Sequence, residues 1–455
     1  MVKGEDDCLS PGEDDCLSPG EGDWRSSGKG LFYMKKIIPL TLILIVILFG
    51  LTFNHKKEVK QTRKGFNVYL KEGNTYVKSD TNEFPKKGYV LNTTESTCIN
   101  GGILSQDFNT RELSVSVTGT DKCNLYFDEY QPNIEEIFND NRYASNTTDV
   151  IDEGTIGTGN DACTNTLAYD GTADNNLRYV GANPCNYVTF NGETAGWRIV
   201  GIMNNVDDGT GVLETRIKLI RANSLGNYSW DTSDSSVKSG WGVNDWTQAD
   251  LKNELNGDYL NTSLNANTNW YNGQNNAQTG VFDYTKRLSA GAQELIGDVI
   301  WTLGGFTNTT ATTANLIPST MYVNERGTTV YSGRPTEWIG KVALIYPSDY
   351  GYATAGGQTT ARSACIGTLS TYNSSSGETW QNSSYSDCKN NDWIPYQWSL
   401  APDSYSASYA FYVYTGSVNY SYTGYYIPVR PAVYLQSGVT ISGGNGTQSE
   451  PYVLA

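Results

Sequence analysis

Apolar and polar residues alternate with a period of two along most of this chain, and a helical period stands out mainly in two stretches. "FNVYLKEGNTYVKS" alternates on either side of Gly73 and Asn74, which predicts a hairpin turning at that pair. "RELSVSVTG" and "CNLYFDE" predict further strands, so residues 65–130 read as a small all-β module. "NIEEIFND" (Asn133 to Asp140) predicts a short helix running into a Thr-, Asp- and Gly-rich stretch, and residues 131–161 read as helix and linker. The remainder, 162–455, reads as one large domain. "GWRIVGI" and "TRIKLIRAN" predict strands around the turn "NNVDDGTG". "NDWTQADLKNELNGDYL" places Leu251 and Leu255 on one face, with Asn244 or Asp245 as cap and Gly257 as stop, and predicts a helix. "SAGAQELIGDVIWTLGG" spaces Leu295, Ile296, Val299, Ile300 and Leu303 helically from Ser289 to Gly304-Gly305, and predicts a second. "KVALIYPSDYG" predicts a buried strand, and a Tyr-rich meander leads into "VRPAVYL" near the C-terminus. Strands at both ends with helices between them predict an α+β fold.

The N-terminal region breaks the alternation. Within residues 1–33, "GEDDCLSP" occurs twice in succession; it is acidic and short of apolar residues, as expected of a disordered tail. In residues 34–54, Lys35 and Lys36 precede an almost unbroken apolar run from Ile37 to Phe53 with no small-residue cleavage site after it. That pattern predicts a single transmembrane signal anchor. Lys56, Lys57, Lys60, Arg63 and Lys64 place more positive charge after the span than before it, which by itself favours a C-terminal bulk on the cytoplasmic side. Cysteine and histidine usage argues for the opposite orientation.

Only one histidine is present, His55, beside the apolar run. The body of the chain therefore holds no Ser-His-Asp triad, Cys-His pair or histidine-ligated zinc. Of the eight cysteines, Cys98, Cys123, Cys163, Cys185, Cys365 and Cys388 fall into three couples local in sequence, none with CxxC spacing. Pairing within each couple would close loops of about 22 to 26 residues, worth roughly 3 kcal/mol apiece. Such bridges imply an oxidising exterior, hence a cell membrane protein with most of its chain extracellular. A net charge of −16 argues against a nucleic-acid partner, which would need basic patches.

Tyrosine (32 residues) marks the leading candidate site, "DSYSASYAFYVYTGSVNYSYTGYY". Alternation would turn Phe411 and Val413 inward and Tyr412 and Tyr414 outward, with Thr415-Gly416 as the turn and Tyr420 and Tyr422 returning on one face. Together with Tyr409 and Tyr425 they make a candidate ligand-binding set, because rigid amphipathic rings give contact area at little entropic cost and stack on sugars. The alternative is a solvent-facing sheet with cross-strand Tyr pairs. Arg430, between Val429 and Pro431, would either hold the chain end through several carbonyls or grip an anion. Asp207, Asp208, Asp231 and Asp234 lie in oxygen-rich loops that could attract calcium, although none has EF-hand spacing. Asp245, Asp250 and Glu254 could supply acid–base carboxylates or simple helix-surface charge. No other metal or cofactor is expected.

"WRIVGI", "SWDTS", "NDWTQADLKNELNGDYL", "RGTTVYSGRPTEWIGKVALIYPSDYGYA", "CKNNDW", "WSLAP" and "VRPAVYL…GGNGTQSEPYVL" resemble uncharacterised surface-anchored proteins of Gram-positive gut bacteria. The terminal pattern, W-x-L-x-P opened by Trp398 and then V-R-P-A, is similar to the C-type-lectin-like class that includes formylglycine-generating-type domains. The resemblance implies a C-type-lectin-like domain in which Trp398 and Arg430 are structural, and it brings no established activity. Cys365 and Cys388 could be set beside the catalytic thiols of formylglycine-generating enzymes, but they fit a loop disulfide better. The resulting expectation is a cell-surface, adhesin-like recognition protein that binds a glycan or surface protein through the Tyr-rich meander and performs no catalysis. The alternatives are a structural cell-envelope protein and a carboxylate-dependent glycan-active enzyme.

Overall fold

The alternating residues at 66–78 form strands Phe66–Glu72 and Thr75–Lys78, paired antiparallel about Gly73, whose φ of +61° a side chain would resist. This computed structural model describes residues 65–455 apart from 81–83, 86–87, 107–112, 117–119, 141–147, 233–240, 261–283, 308–315, 369, 372–379, 381–382 and 415. The acidic repeat tail (1–33) and the expected membrane span (34–54) lie outside the described residues. Among those described, no helix is long and apolar enough to cross a membrane. Strand Phe66–Glu72 also pairs in parallel with Cys123–Glu129, and Val68, Leu91, Leu125 and Phe127 bury a small core of their own. The Cys98–Cys123 disulfide joins neighbouring strands of this module.

The next segment differs from its reading as helix and linker. Asn133 caps helix Ile134–Phe138 by accepting from the Glu135 and Glu136 amides, and Glu136 accepts in turn from the Asn133 amide. Ile134 and Ile137 pack into the large core, and Ile151–Ile156 is the edge strand of the large sheet, antiparallel to Cys163–Tyr169. An apolar helix face and an unpaired strand both need a partner, and the large domain supplies both.

Mostly β structure with short helices makes up the rest, an α+β arrangement. A ten-stranded sheet is built round the long strand Glu193–Asp207, which pairs antiparallel with Leu213–Arg221 across the expected turn. A Cβ on Gly201 would meet the Leu177 carbonyl at 2.3 Å, so only glycine lets Leu177–Tyr179 lie against that strand. The first expected helix is shorter at its start. It spans Asp250–Asn256, buries Leu251 and Leu255, and ends at Gly257. Asn244 serves elsewhere, donating to the carbonyls of Asp403, Ser406 and Tyr409.

The second expected helix is replaced after two turns. Only Ala290–Leu295 is helical, and Val299–Thr302 is a strand against Glu337–Gly340. Val299 and Trp301 are buried at period two. Helical and strand periods both fitted this apolar run, and pairing with the distant strand Glu337–Gly340 in a two-stranded sheet decided between them. "KVALIYPSDYG" likewise divides into a strand at Val342–Ala343 and a helix, Pro347–Tyr352, with proline in its first turn.

"VRPAVYL" changes sheets. Tyr426–Val429 pairs with Gly226–Ser229, whereas Ala432–Tyr434 pairs with Leu213–Arg221 in the large sheet. Arg430 stands at the crossing and donates to the Ala222 and Tyr396 carbonyls, at 3.3 and 2.9 Å. Trp398, fully buried, donates to the Tyr228 carbonyl at 2.9 Å.

All three sequence-local cysteine couples are disulfides: Cys98–Cys123, Cys163–Cys185 and Cys365–Cys388. The last spans 23 residues and is fully buried. Replacing both Cys365 and Cys388 by alanine is expected to cost about 3 kcal/mol, read from the midpoint of urea unfolding. A variant as stable as the parent would show that the bridge adds nothing.

Charge is also buried in the large core. Arg178 pairs with Asp170 (2.8 Å) and Asp349 (2.6 Å), and Lys218 pairs with Asp349 (2.6 Å). The Lys218 ammonium is ringed by Tyr346, Tyr434 and Trp301, at 4.5, 5.1 and 5.4 Å from their centroids.

Candidate functional site

Strands Tyr409–Tyr414 and Ser417–Tyr422 form the expected hairpin, continued on one side by Gln397–Pro402. Its register places Tyr409 opposite Tyr422 and Phe411 opposite Tyr420, while Tyr412 faces Asn419. Residues directly opposite share a face of the sheet, so Tyr409, Tyr420 and Tyr422 lie on the Phe411 side. Tyr412 and Tyr414 lie on the other. The six tyrosines therefore do not make one platform, because the side of each returning residue was set by the pairing register.

The first group is the larger. The Tyr422 ring stands 4.4 Å from Tyr409 and 5.8 Å from Tyr425, and Tyr409 is 4.9 Å from Tyr420. Trp241 joins them from a distant segment, 3.9 Å from Tyr422 and 5.9 Å from Tyr425. Nothing in the local sequence around Trp241 announced it. It is brought here by Thr423 and Gly424, which donate through hydroxyl and amide to the Trp241 carbonyl. Gly242 permits the approach: it has φ +66°, and a Cβ there would lie 2.1 Å from the Asp231 carbonyl. Trp241 is 40% exposed and Tyr425 38%, whereas Phe411 and Val413 are fully buried. The face is thus rooted in the core at one end and open to solvent at the other. A hydrogen bond to Tyr422, together with burial, pushes the Tyr409 hydroxyl up to about 12, so it stays a neutral donor at physiological pH.

The second group is smaller. Tyr396 lies 5.5 Å from both Tyr412 and Tyr414, and Trp398 lies beneath Tyr412. Asn419 donates to the Tyr412 hydroxyl at 3.0 Å.

Two of the three carboxylates named for catalysis are held by hydrogen bonds within the fold. Asp245 accepts from the Thr247 amide and hydroxyl and from Gln248, and Asp250 accepts from the Thr232 amide and hydroxyl. Those considered for calcium are similarly turned onto the chain. Asp207 accepts from the Gly209 and Gly211 amides, Asp208 from Thr210 and Val212, and Asp231 from Val243 and Asp250. Asp234 lies outside the described residues. Among the described residues, one group of potential metal ligands comes together, Cys98, Asp121 and Cys123, and its two sulfurs are joined in a disulfide. Cys365 and Cys388 are likewise bonded to each other and carry no free thiol.

Comparison with protein-family models, curated proteins and solved structures found no match to this chain.

Proposed function

We propose that the protein is a cell-surface, adhesin-like recognition protein that binds a glycan through the aromatic face of Trp241, Tyr409, Tyr420, Tyr422 and Tyr425. The observation that carries this reading is the packing of the half-exposed Trp241 onto Tyr422 and Tyr425. Contiguous rings bearing hydroxyls offer stacking surfaces and hydrogen bonds to a polar ring without first having to be ordered. The three disulfides support an extracellular setting. In the same reading the large domain is C-type-lectin-like and the apolar run at 34–54 anchors it to the membrane. A surface protein is the other partner such a face suits.

A glycan array probed with the full chain tests the proposal. Trp241→Ala is expected to reduce binding about tenfold or more, as truncation of a central aromatic contact does. Melting should be little changed, because Trp241 is partly exposed. Tyr412→Ala, on the opposite face, should leave binding intact. Equal binding by the parent and Trp241→Ala would refute the assignment, and loss of binding with Tyr412→Ala alone would move the site to the smaller group.

A further inference from the structure

Asp403 begins the loop that leads into the aromatic face. One step beyond the Pro402–Ala410 pair, its amide donates to the Tyr409 carbonyl at 2.9 Å, which sets it opposite Tyr409 and on the Tyr409 side of the sheet. Its charge is near enough to contribute to the raised pKa of the Tyr409 hydroxyl. The stretch of chain that carries Trp241 also holds this loop. Asn244 donates through its side chain to the Asp403, Ser406 and Tyr409 carbonyls, and through its amide to the Ala407 carbonyl at 2.8 Å. Trp241 and Asp403 are thus fixed about the same tyrosines by residues only three apart.

Half of the Asp403 carboxylate is used by the fold. Oδ1 accepts from the Tyr405 and Ser406 amides, at 2.7 and 2.9 Å. Oδ2 accepts from none of the described residues and keeps a small opening to solvent, in a residue only 3% exposed. The loop itself is at the surface, with Tyr405 80% exposed. Burial lifts the Asp403 pKa above its ordinary value, against the pull of the two amides. Arg334 also reaches this loop, but it donates to Asn244 at 3.2 Å and to the Ala407 carbonyl at 3.4 Å, and among the described residues Asp403 has no ion pair.

A carboxylate oxygen largely withdrawn from water and left without a donor is unfavourable, and it gains most from a partner that brings donors. Sugar hydroxyls are such donors, and the neighbouring rings offer the stacking surface. We propose that Asp403 is the polar anchor of the aromatic face: its Oδ2 accepts from the hydroxyls of a neutral sugar stacked on that face, and its charge turns away sugars that carry a carboxylate. The anchor rests on the glycan reading given above and narrows it to neutral glycans.

A glycan array carrying each glycan in matched neutral and uronic-acid forms, probed with the full chain, tests the proposal. The parent should prefer the neutral forms about tenfold or more, since like charges brought together repel. Asp403→Asn keeps an acceptor for the two loop amides and turns Oδ2 into a donor. It should weaken binding of the neutral forms roughly tenfold, the worth of one hydrogen bond to a charged group, and narrow the preference, with melting unchanged. Should the variant fail to fold, the preference of the parent decides: equal or tighter binding of the acidic forms overturns the anchor. Loss of binding in Trp241→Ala but not in Asp403→Asn also overturns it and leaves the aromatic face standing. If the parent binds no glycan, or binds as well after Trp241→Ala, the face and its anchor fall together.

Discussion

Asp349→Asn is expected to cost about 3–5 kcal/mol of stability. Asp349 answers two buried cations at once, accepting from Arg178 on one oxygen and from Lys218 and the Tyr346 amide on the other. Burial by itself would raise its pKa, but Lys218 and Arg178 outweigh that and hold the carboxyl well below the usual carboxylate range. A neutral amide leaves Lys218 without its counter-charge and Arg178 with Asp170 alone. Lys218→Met should cost much less, since it takes an ammonium out of the core, leaves Asp349 paired with Arg178, and puts a flexible apolar chain among Trp301, Tyr346 and Tyr434. Urea unfolding of both variants tests the order. If Lys218→Met proved the more damaging, the aromatic ring of contacts and not the carboxylate would be the main support.

Stability should also fall as pH rises towards neutrality, because of Glu325. Its carboxyl is fully buried, and burial pushes it up to about 7, against an opposing pull from Arg326 and hydrogen bonds from the Ser348 amide and hydroxyl. The ordinary value is 4.5. Between those values the folded protein holds the proton more tightly than the unfolded chain does. The native state is therefore favoured at low pH, and the advantage is lost as pH rises from about 4.5 to about 7, a change of about 3 kcal/mol. Above that range both states are ionised and the dependence flattens. In Glu325→Gln this part of the slope should vanish, and the variant should be more stable than the parent at pH 8. Unfolding midpoints taken from pH 5 to pH 8 decide the matter, and parallel profiles for the two proteins would place the ionisation elsewhere.

Much of the architecture was legible along the chain, because it depends on local rules. The Gly73 hairpin, the short helix after Asn133, the strands Glu193–Asp207 and Leu213–Arg221 either side of their turn, and Leu251 and Leu255 facing inward all follow from turn chemistry and periodicity. The pairing of cysteines with their sequence neighbours did too, since short loops close most readily. Other features depend on long-range partners. Val299–Thr302 became a strand because it pairs with Glu337–Gly340, and "VRPAVYL" was divided because its two halves found different sheets. The tyrosines fell on two faces through the register of one hairpin, a choice that alternation within a single strand does not contain. Trp241 reached Tyr422 from a segment far away in the chain. Local propensity and spacing determined which residues turn inward. Only the closing of distant elements on one another decided which of the remaining side chains meet, because those contacts join segments that no local rule relates.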